Sequence, residues 1–459
     1  MQLPGNQGSI RTALALALSV LLLACGGGED ADRPNLELVG HTDLGARGMN
    51  SAIAIAGDHV YIGSRTDSAG VLIVDISDPT EPTIVGEIGV PDQGLLGVSS
   101  RELRTVPSKN LLIVLNMPCF AESHLCVEEH AEPNNFKFYD ISTPSEPVWI
   151  STMQVRGSGF LSNSGGHEFF VWHDPQDSDR VLLYASTPGG PPGLQVYDIS
   201  DPTDISRIST WDMQNDGGVT ISRDADAIVH SISVSADGTQ GYLSGVRAGL
   251  LVLDTSDLAN QIEGGTIELL APVDAFSYEG QQTHSAAPVP GRDLLVLTDE
   301  VYPAPVGDGC PWGWTRLVDI STPSQPRAVG EFRIGENDAT ACPNNPDTVE
   351  TFAYTAHNPT ATSNLAFVTW YTGGLRAIDI SAPETPVEVG TFMPEPLPSV
   401  AIEDPRFGGD PVMMWSYPII RDGLIYVSDS RNGLYILRYN GPHADEVDAI
   451  TFLEGNSNR

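Results

Sequence analysis

Basic residues are scarce in this 459-residue chain: 23 Lys+Arg stand against 60 Asp+Glu, for a formal charge of −37, and Lys109 and Lys137 are the only lysines. Without a basic surface the chain cannot displace counterions from a phosphate backbone, which excludes nucleic-acid binding through phosphate contacts. Electrostatic docking onto anionic lipid is excluded on the same ground. Apolar runs long enough to cross a bilayer as a helix are missing, and capped segments of helical period are few. There is no GxSxG elbow, no HExxH, no phosphate-cradling glycine loop and no Rossmann fingerprint. Core-forming residues are not lacking. At 41% hydrophobic the chain can bury a large core, so general disorder is excluded, and its 46 Gly and 35 Pro follow no collagen period.

The N-terminus reads as an address. Arg11 precedes the apolar run Thr12 to Ala24, too short for a spanning helix and suited to the core of a secretory signal. Leu22-Leu23-Ala24-Cys25 followed by three glycines resembles a bacterial lipobox, which implies cleavage before Cys25 and acylation of its thiol. The alternative is an ordinary signal peptide with an incidental cysteine. Residues 1–24 are thus expected to be removed, 25–34 to form a lipidated tether, and 441–459 to form a C-terminal tail. Gly26 after the cysteine resembles the signal for transfer to an outer membrane, so the expected location is the cell envelope.

Between those ends the chain repeats. An apolar strand, Asp-Ile-Ser, a proline-bearing turn and a second apolar strand recur from Val71, Phe136, Leu194, Thr315 and Leu375, with a weaker copy from Leu250. The aspartates are Asp75, Asp140, Asp198, Asp254, Asp319 and Asp379, spaced by 65, 58, 56, 65 and 60 residues. Another β-rich run precedes each phrase, and a shorter one precedes that. Four strands per unit suit a propeller blade with loop insertions, for which about 40–50 residues is typical. Leu424–Val427 and Gly433–Leu437 begin a further unit that lacks its fourth strand, while Leu36–Thr42 resembles the missing one. The expected fold is all-β: a seven-bladed β-propeller over residues 35–440, closed by the N-terminal strand. Val71-Leu72-Ile73-Val74-Asp75 is close to the namesake motif of the LVIVD-repeat family, which this chain resembles over nearly all of its expected mature length. That resemblance implies a secreted or surface-attached propeller and no particular reaction.

Besides Cys25 there are four cysteines, and an even number in an exported chain suggests disulfides, Cys119 with Cys126 and Cys310 with Cys342. A metal site on Cys119, His124, Cys126 and His130 competes with the first pair, but its spacing fits no standard zinc pattern. Asp174, Asp177 and Asp179, and Asp224 with Asp226, lack the glycine and spacing of an EF-hand and read as solvated loops.

Four histidines hold corresponding places at the start of the innermost strand of successive units: His167, His230, His284 and His357, with Ser51, Arg101 and Ser416 at those places elsewhere. Innermost strands line a propeller's central channel, so converging imidazoles could bind zinc or copper. Two other readings stay open, a repeat-structural histidine and a metal-free ligand rim. Glu168, beside His167, is a candidate supporting or acid/base group, although strand alternation is expected to point it away. Arg101 suits an anionic ligand. The insertions Asn116–Asn135 and Glu300–Gly313 are expected to present recognition surfaces, with Trp312, Trp314 and Tyr302 as anchors.

The leading functional expectation is a lipid-anchored binding scaffold without catalysis, whose partner is a protein or small molecule. The alternative is a metal-dependent enzyme built on the four histidines.

Overall fold

The structure is a computed structural model that describes residues 35–89, 98–118, 135–155, 165–187, 193–219, 228–271, 276, 278, 282–302, 309–341, 353–404 and 412–459. Cys25, Cys119, Cys126, Cys342, His124, His130, Asp224 and Asp226 lie outside these residues. The described chain is all-β, with only short helices, α1 (Ser256–Ala259) and α2 (Ala444–Asp448) among them. No described helix is long and apolar enough to cross a membrane.

After β1 (Leu36–Thr42), strands follow in antiparallel meanders. The first comprises β2 (Asn50–Ala56), β3 (His59–Ser64), β4 (Val71–Asp75) and β5 (Thr83–Ile88). The next has β6 (Val98–Val106), β7 (Leu111–Pro118), β8 (Asn135–Asp140) and β9 (Val148–Gln154). It is joined to the first through the Ser64–Ser100 pair. Then come β10 (Phe169–His173), β11 (Val181–Ser186), β12 (Leu194–Asp198) and β13 (Ser206–Trp211). They are followed by β14 (Ile228–Val234), β15 (Gln240–Val246), β16 (Gly249–Asp254) and β17 (Glu268–Leu269). Two more sheets hold β18 (Thr283–Pro288), β19 (Leu294–Asp299), β20 (Thr315–Asp319) and β21 (Arg327–Phe332), then β22 (Pro359–Ala361), β23 (Leu365–Thr369), β24 (Leu375–Asp379) and β25 (Val387–Phe392). The last sheet contains β26 (Ile419–Arg421), β27 (Leu424–Asp429), β28 (Gly433–Tyr439) and β29 (Phe452–Glu454). Here β1 pairs antiparallel with β28, Leu36 opposite Tyr439 and Thr42 opposite Leu434.

The repeated phrase has a local cause. In every copy the aspartate Oδ1 accepts the N–H of the serine two residues on, at 2.7–2.9 Å, from Asp75–Ser77 through Asp379–Ser381. The side chain thus mimics a backbone turn, while the residue between them is buried in each copy. The copy at Asp254 lacks the prolines and forms α1 instead, leaving β17 only two residues long. Strands two and three of each unit are buried on both faces and so read as unbroken apolar runs rather than alternating ones. The fourth strands are largely exposed on the outside, as the pattern of β5 shows. Their glycines allow close approach between units: a Cβ on Gly40 or Gly330 would stand 2.0 Å from the carbonyl oxygen of Pro79 or Pro383 in the next sheet.

Residues 441–459 are folded. α2 buries Val447, and β29 pairs with β26 on its free, inner edge. Beyond it the Val171 N–H donates to Asn456 O at 3.2 Å. Asn458 then accepts the His173 N–H at 2.7 Å and donates to His173 O at 2.8 Å. The C-terminus therefore runs from the innermost strand of the last sheet to the innermost strand, β10, of the third.

Candidate metal centre

The positions flagged by the repeat are bulges. Arg101, His230 and His284 are each the extra residue that the neighbouring strand does not match. His167 and Glu168 share the single partner Ser186, and His357 and Asn358 share Thr369. A bulge breaks alternation and re-aims side chains. Glu168 therefore points inward, against the alternation expectation, and its Oε1 lies 3.7 Å from His284 Nε2. Hydroxyls pin the backbone of these positions from the preceding unit: Ser186 Oγ donates to His230 O at 2.6 Å, Thr298 Oγ1 to His357 O, Ser231 Oγ to His284 O, and Ser428 Oγ to Ser51 O at 2.7 Å.

The four imidazoles come together in an arc. Ring centroids are 4.4 Å apart for His167–His230 and 3.9 Å for His230–His284 and for His284–His357. His230, His284 and His357 are buried, whereas His167 is partly open. Glu300, from the end of β19, closes over the arc. Its Oε2 is 3.4 Å from His284 Nε2 and 3.8 Å from His230 Nε2, and its Oε1 is 3.3 Å from His357 Nε2. Tyr371 Oη donates to Oε1.

The surrounding hydrogen bonds decide the tautomers. His357 Nδ1 faces Trp415 O, a carbonyl that can only accept, so Nδ1 carries the proton. Asn358 Nδ2 donates to the same carbonyl at 2.9 Å, which turns Oδ1 toward Ser285. Ser285 donates its one proton to that Oδ1 at 2.9 Å and must accept from His284 Nδ1 at 2.7 Å. Nε2 of each ring faces a Glu300 oxygen and has no hydrogen-bond partner, and in the neutral His284 ring it is a lone pair.

Ionisation agrees with this. Burial, then the neighbouring imidazole, pushes His167, His230 and His284 well down, and Arg101 adds to the effect in each. Burial alone would raise Glu300, but the neighbouring His284 and His357 outweigh it and hold the carboxyl well below its usual range. Burial, reinforced by Glu102, pushes Glu168 well up. Neutral His230 and His284 beside an ionised Glu300 are the forms that bind a metal.

Ligand atoms of a tetrahedral ion with bonds of about 2.0–2.2 Å stand about 3.3–3.6 Å apart. The nitrogen–oxygen separations from Glu300 are 3.3, 3.4 and 3.8 Å. His230, His284 and Glu300 each bring one donor atom within 4.8 Å of the others, as do His167, Glu168 and His230. Beneath the arc, Tyr417 Oη links Ser285 at 3.2 Å to Glu168 at 3.3 Å. Arg104, paired with Glu102 at 3.3 Å, lies 5.5 Å from the Tyr417 ring, and the C-terminal segment approaches that ring at Gly455.

The other flagged residues do not join this cluster. Trp312, expected as a surface anchor, is only 4% exposed and sits in a core cluster with Val301, Tyr371 and Trp415. An indole of that area is worth more inside than on a rim. Trp314 lies between Arg316 and Arg333, 4.6 and 3.7 Å from its ring, and donates to Glu331. Tyr302 stacks edgewise on Tyr371 at 6.5 Å. Asn116 and Asn135, the ends of one insertion, are buried and hydrogen-bonded to each other at 3.0 Å. Cys310 packs against the cluster around Trp312. Asp174 pairs with Arg180 at 3.0 Å, away from Asp177 and Asp179. Glu300, Tyr371 and Tyr417 escaped the sequence reading. An acid directly after the apolar strand Leu294–Leu297 was the available signal for Glu300.

The LVIVD repeat model matches residues 47–89 and 360–394, so the chain carries LVIVD repeats. No curated protein matches it. Among solved structures, Sqt1 of Saccharomyces cerevisiae is similar at 11% identity and a TM-score of 0.50, covering 88% of this chain and 98% of that one. The beta-propeller domain of Cps50 (Swd1) from Myceliophteria thermophila is similar at 11% identity and a TM-score of 0.48, covering 85% of this chain and 96% of that one. At such identity the likeness concerns fold alone: the chain is an all-β propeller.

Proposed function

We propose that this chain is a seven-bladed propeller, closed by its N-terminal strand and lipid-anchored in the cell envelope through Cys25, whose axial pit binds one zinc or copper ion on His230, His284 and Glu300. One observation carries the metal reading. The Nε2 lone pair of His284, fixed by the hydrogen bond of its own Nδ1 proton, faces a Glu300 oxygen that gives it nothing to accept. Lone pair against lone pair is repulsive unless a cation lies between. A second imidazole, His230, faces the same oxygen as His284.

The ligand count suits catalysis more than structure. Three protein donors leave coordination positions open, as catalytic zinc sites do. A bound ion there would act as a Lewis acid or redox centre. Tyr371 holds Glu300 through its other oxygen, Ser285 orients His284, and Glu168 keeps a proton at hand on the side of Tyr417. We read the chain as a metal-dependent enzyme, in preference to the binding scaffold, because burial of Trp312 removes the main anchor proposed for a recognition surface.

The test is metal content of purified protein lacking residues 1–25, as isolated and after reconstitution. The expected result is one equivalent of zinc or copper, lost in the H230A/H284A double variant while cooperative unfolding is kept. A reconstituted, folded wild type without stoichiometric metal would return the chain to the scaffold reading. The anchor is tested separately: labelled palmitate should enter the wild-type chain and not the Cys25→Ser variant.

A further inference from the structure

Arg101 occupies the bulge position in the second sheet that the imidazoles occupy in the following ones. It is 8% exposed, yet among the described residues it has no carboxylate partner, and its Nε has no hydrogen-bond partner. Arg65, also buried, lies over the same Trp415 ring at 5.1 Å, but five other buried arginines differ. Arg104 is paired with Glu102, Arg180 with Asp174, Arg316 with Asp299, Arg376 with Glu388 and Arg431 with Glu403. Arg101 instead rests on the face of Trp415, 5.5 Å from the ring, and Trp415 in turn meets His357 at 5.8 Å. The guanidinium thus shares an aromatic wall with the end of the imidazole arc, and its charge bears on His167, His230 and His284. The nearest acid in sequence, Glu102, is taken by Arg104.

A cation removed from water without a counter-charge is costly. In a chain of net charge −37 it is also conspicuous, since acids to pair with it are abundant everywhere else. Of the four imidazoles only His167 is partly exposed, and a ligand is expected to reach the guanidinium from that side.

We infer that Arg101 is the anchor for a small oxyanion, a carboxylate or phosphate group of the ligand, held by the guanidinium fork beside the imidazole arc. This deepens the metal-centre reading and rests on it for placing substrate next to the ion. Arg is suited to the task because its planar fork meets carboxylate or phosphate in two parallel hydrogen bonds. The binding step itself involves no bond making.

Acetate and inorganic phosphate are the probes, titrated calorimetrically into metal-loaded and metal-stripped protein lacking residues 1–25, with chloride at equal ionic strength as control. At least one anion should bind one to one and raise Tm in the wild type, and which one does separates carboxylate from phosphate. Arg101→Gln should weaken it at least tenfold, and Arg101→Lys, which keeps charge but not the fork, should fall between. If Arg101→Gln does not fold, the lysine variant and the wild-type titration decide. Equal affinity in wild type and variants overturns the inference, as do an equal response to chloride and binding of neither anion. Anion binding that depends on Arg101 in protein unable to take up metal sinks the metal reading alone. Metal uptake without Arg101-dependent anion binding sinks this one alone.

Discussion

Ser285 has a single proton, and where that proton goes decides which nitrogen of His284 is free. Because Asn358 takes it, Nε2 faces Glu300. Ser285→Ala should leave the fold intact and weaken metal affinity about 10–100-fold, the usual cost of losing a group that orients a ligand. Chelator competition measures it, and an unchanged affinity would mean that something else sets the tautomer. His173 makes a separate prediction away from the arc. Burial, with Arg459 adding to it, lowers its pKa to about 4. The folded state therefore resists protonation that the unfolded chain accepts near pH 6.5. Its contribution is fully present above about pH 6.5 and is lost as pH falls toward 4, by about 3 kcal/mol at most. Urea unfolding of wild type and His173→Gln at pH 4.5 and 7.5 should show wild type losing more on acidification; parallel profiles would remove His173 from the account.

At the scale of elements, the repeated phrase was legible because its cause is local. An aspartate capping a serine two residues on, with a buried residue between, needs nothing from the rest of the fold. The glycine of the fourth strand was legible as part of the pattern, but its reason lies in the neighbouring sheet. Gly330→Ala would press a methyl group onto Pro383 O, and backbone on both sides cannot yield easily. The expected loss is about 1–3 kcal/mol, the range for overpacking, seen as a lower urea midpoint at unchanged slope. A neutral result would mean that the two sheets can part without cost. The bulges are the opposite case. Counting along the strand sends Glu168 away from the histidines, and only the two-against-one pairing with Ser186 turns it inward.

For the whole molecule, both chain ends matter. β1 pairs with β28 in the last sheet, and the segment from Phe452 to Asn458 ties β26 to β10. Removing residues 451–459 should lower Tm and open the pit from below, so that chelators strip the metal faster while the ligands themselves stay in place. A truncated protein with unchanged Tm and unchanged stripping rate would show that the terminus only decorates the surface.

The sequence by itself determined the repeat, the all-β class, the partnership of the N-terminal strand with the last unit, and the equivalence of His167, His230, His284 and His357. All of these follow from short-range chemistry or from self-similarity, which a single chain displays without folding. What only the tertiary structure decided is which groups meet those histidines. Glu300, Tyr371 and Tyr417 come from other positions of other units, Trp312 turns inward, and the C-terminal strand pairs with β26. Such meetings depend on bulges and on the packing of one sheet against another, where residues far apart in the chain become neighbours, and no local pattern in the chain encodes that distance.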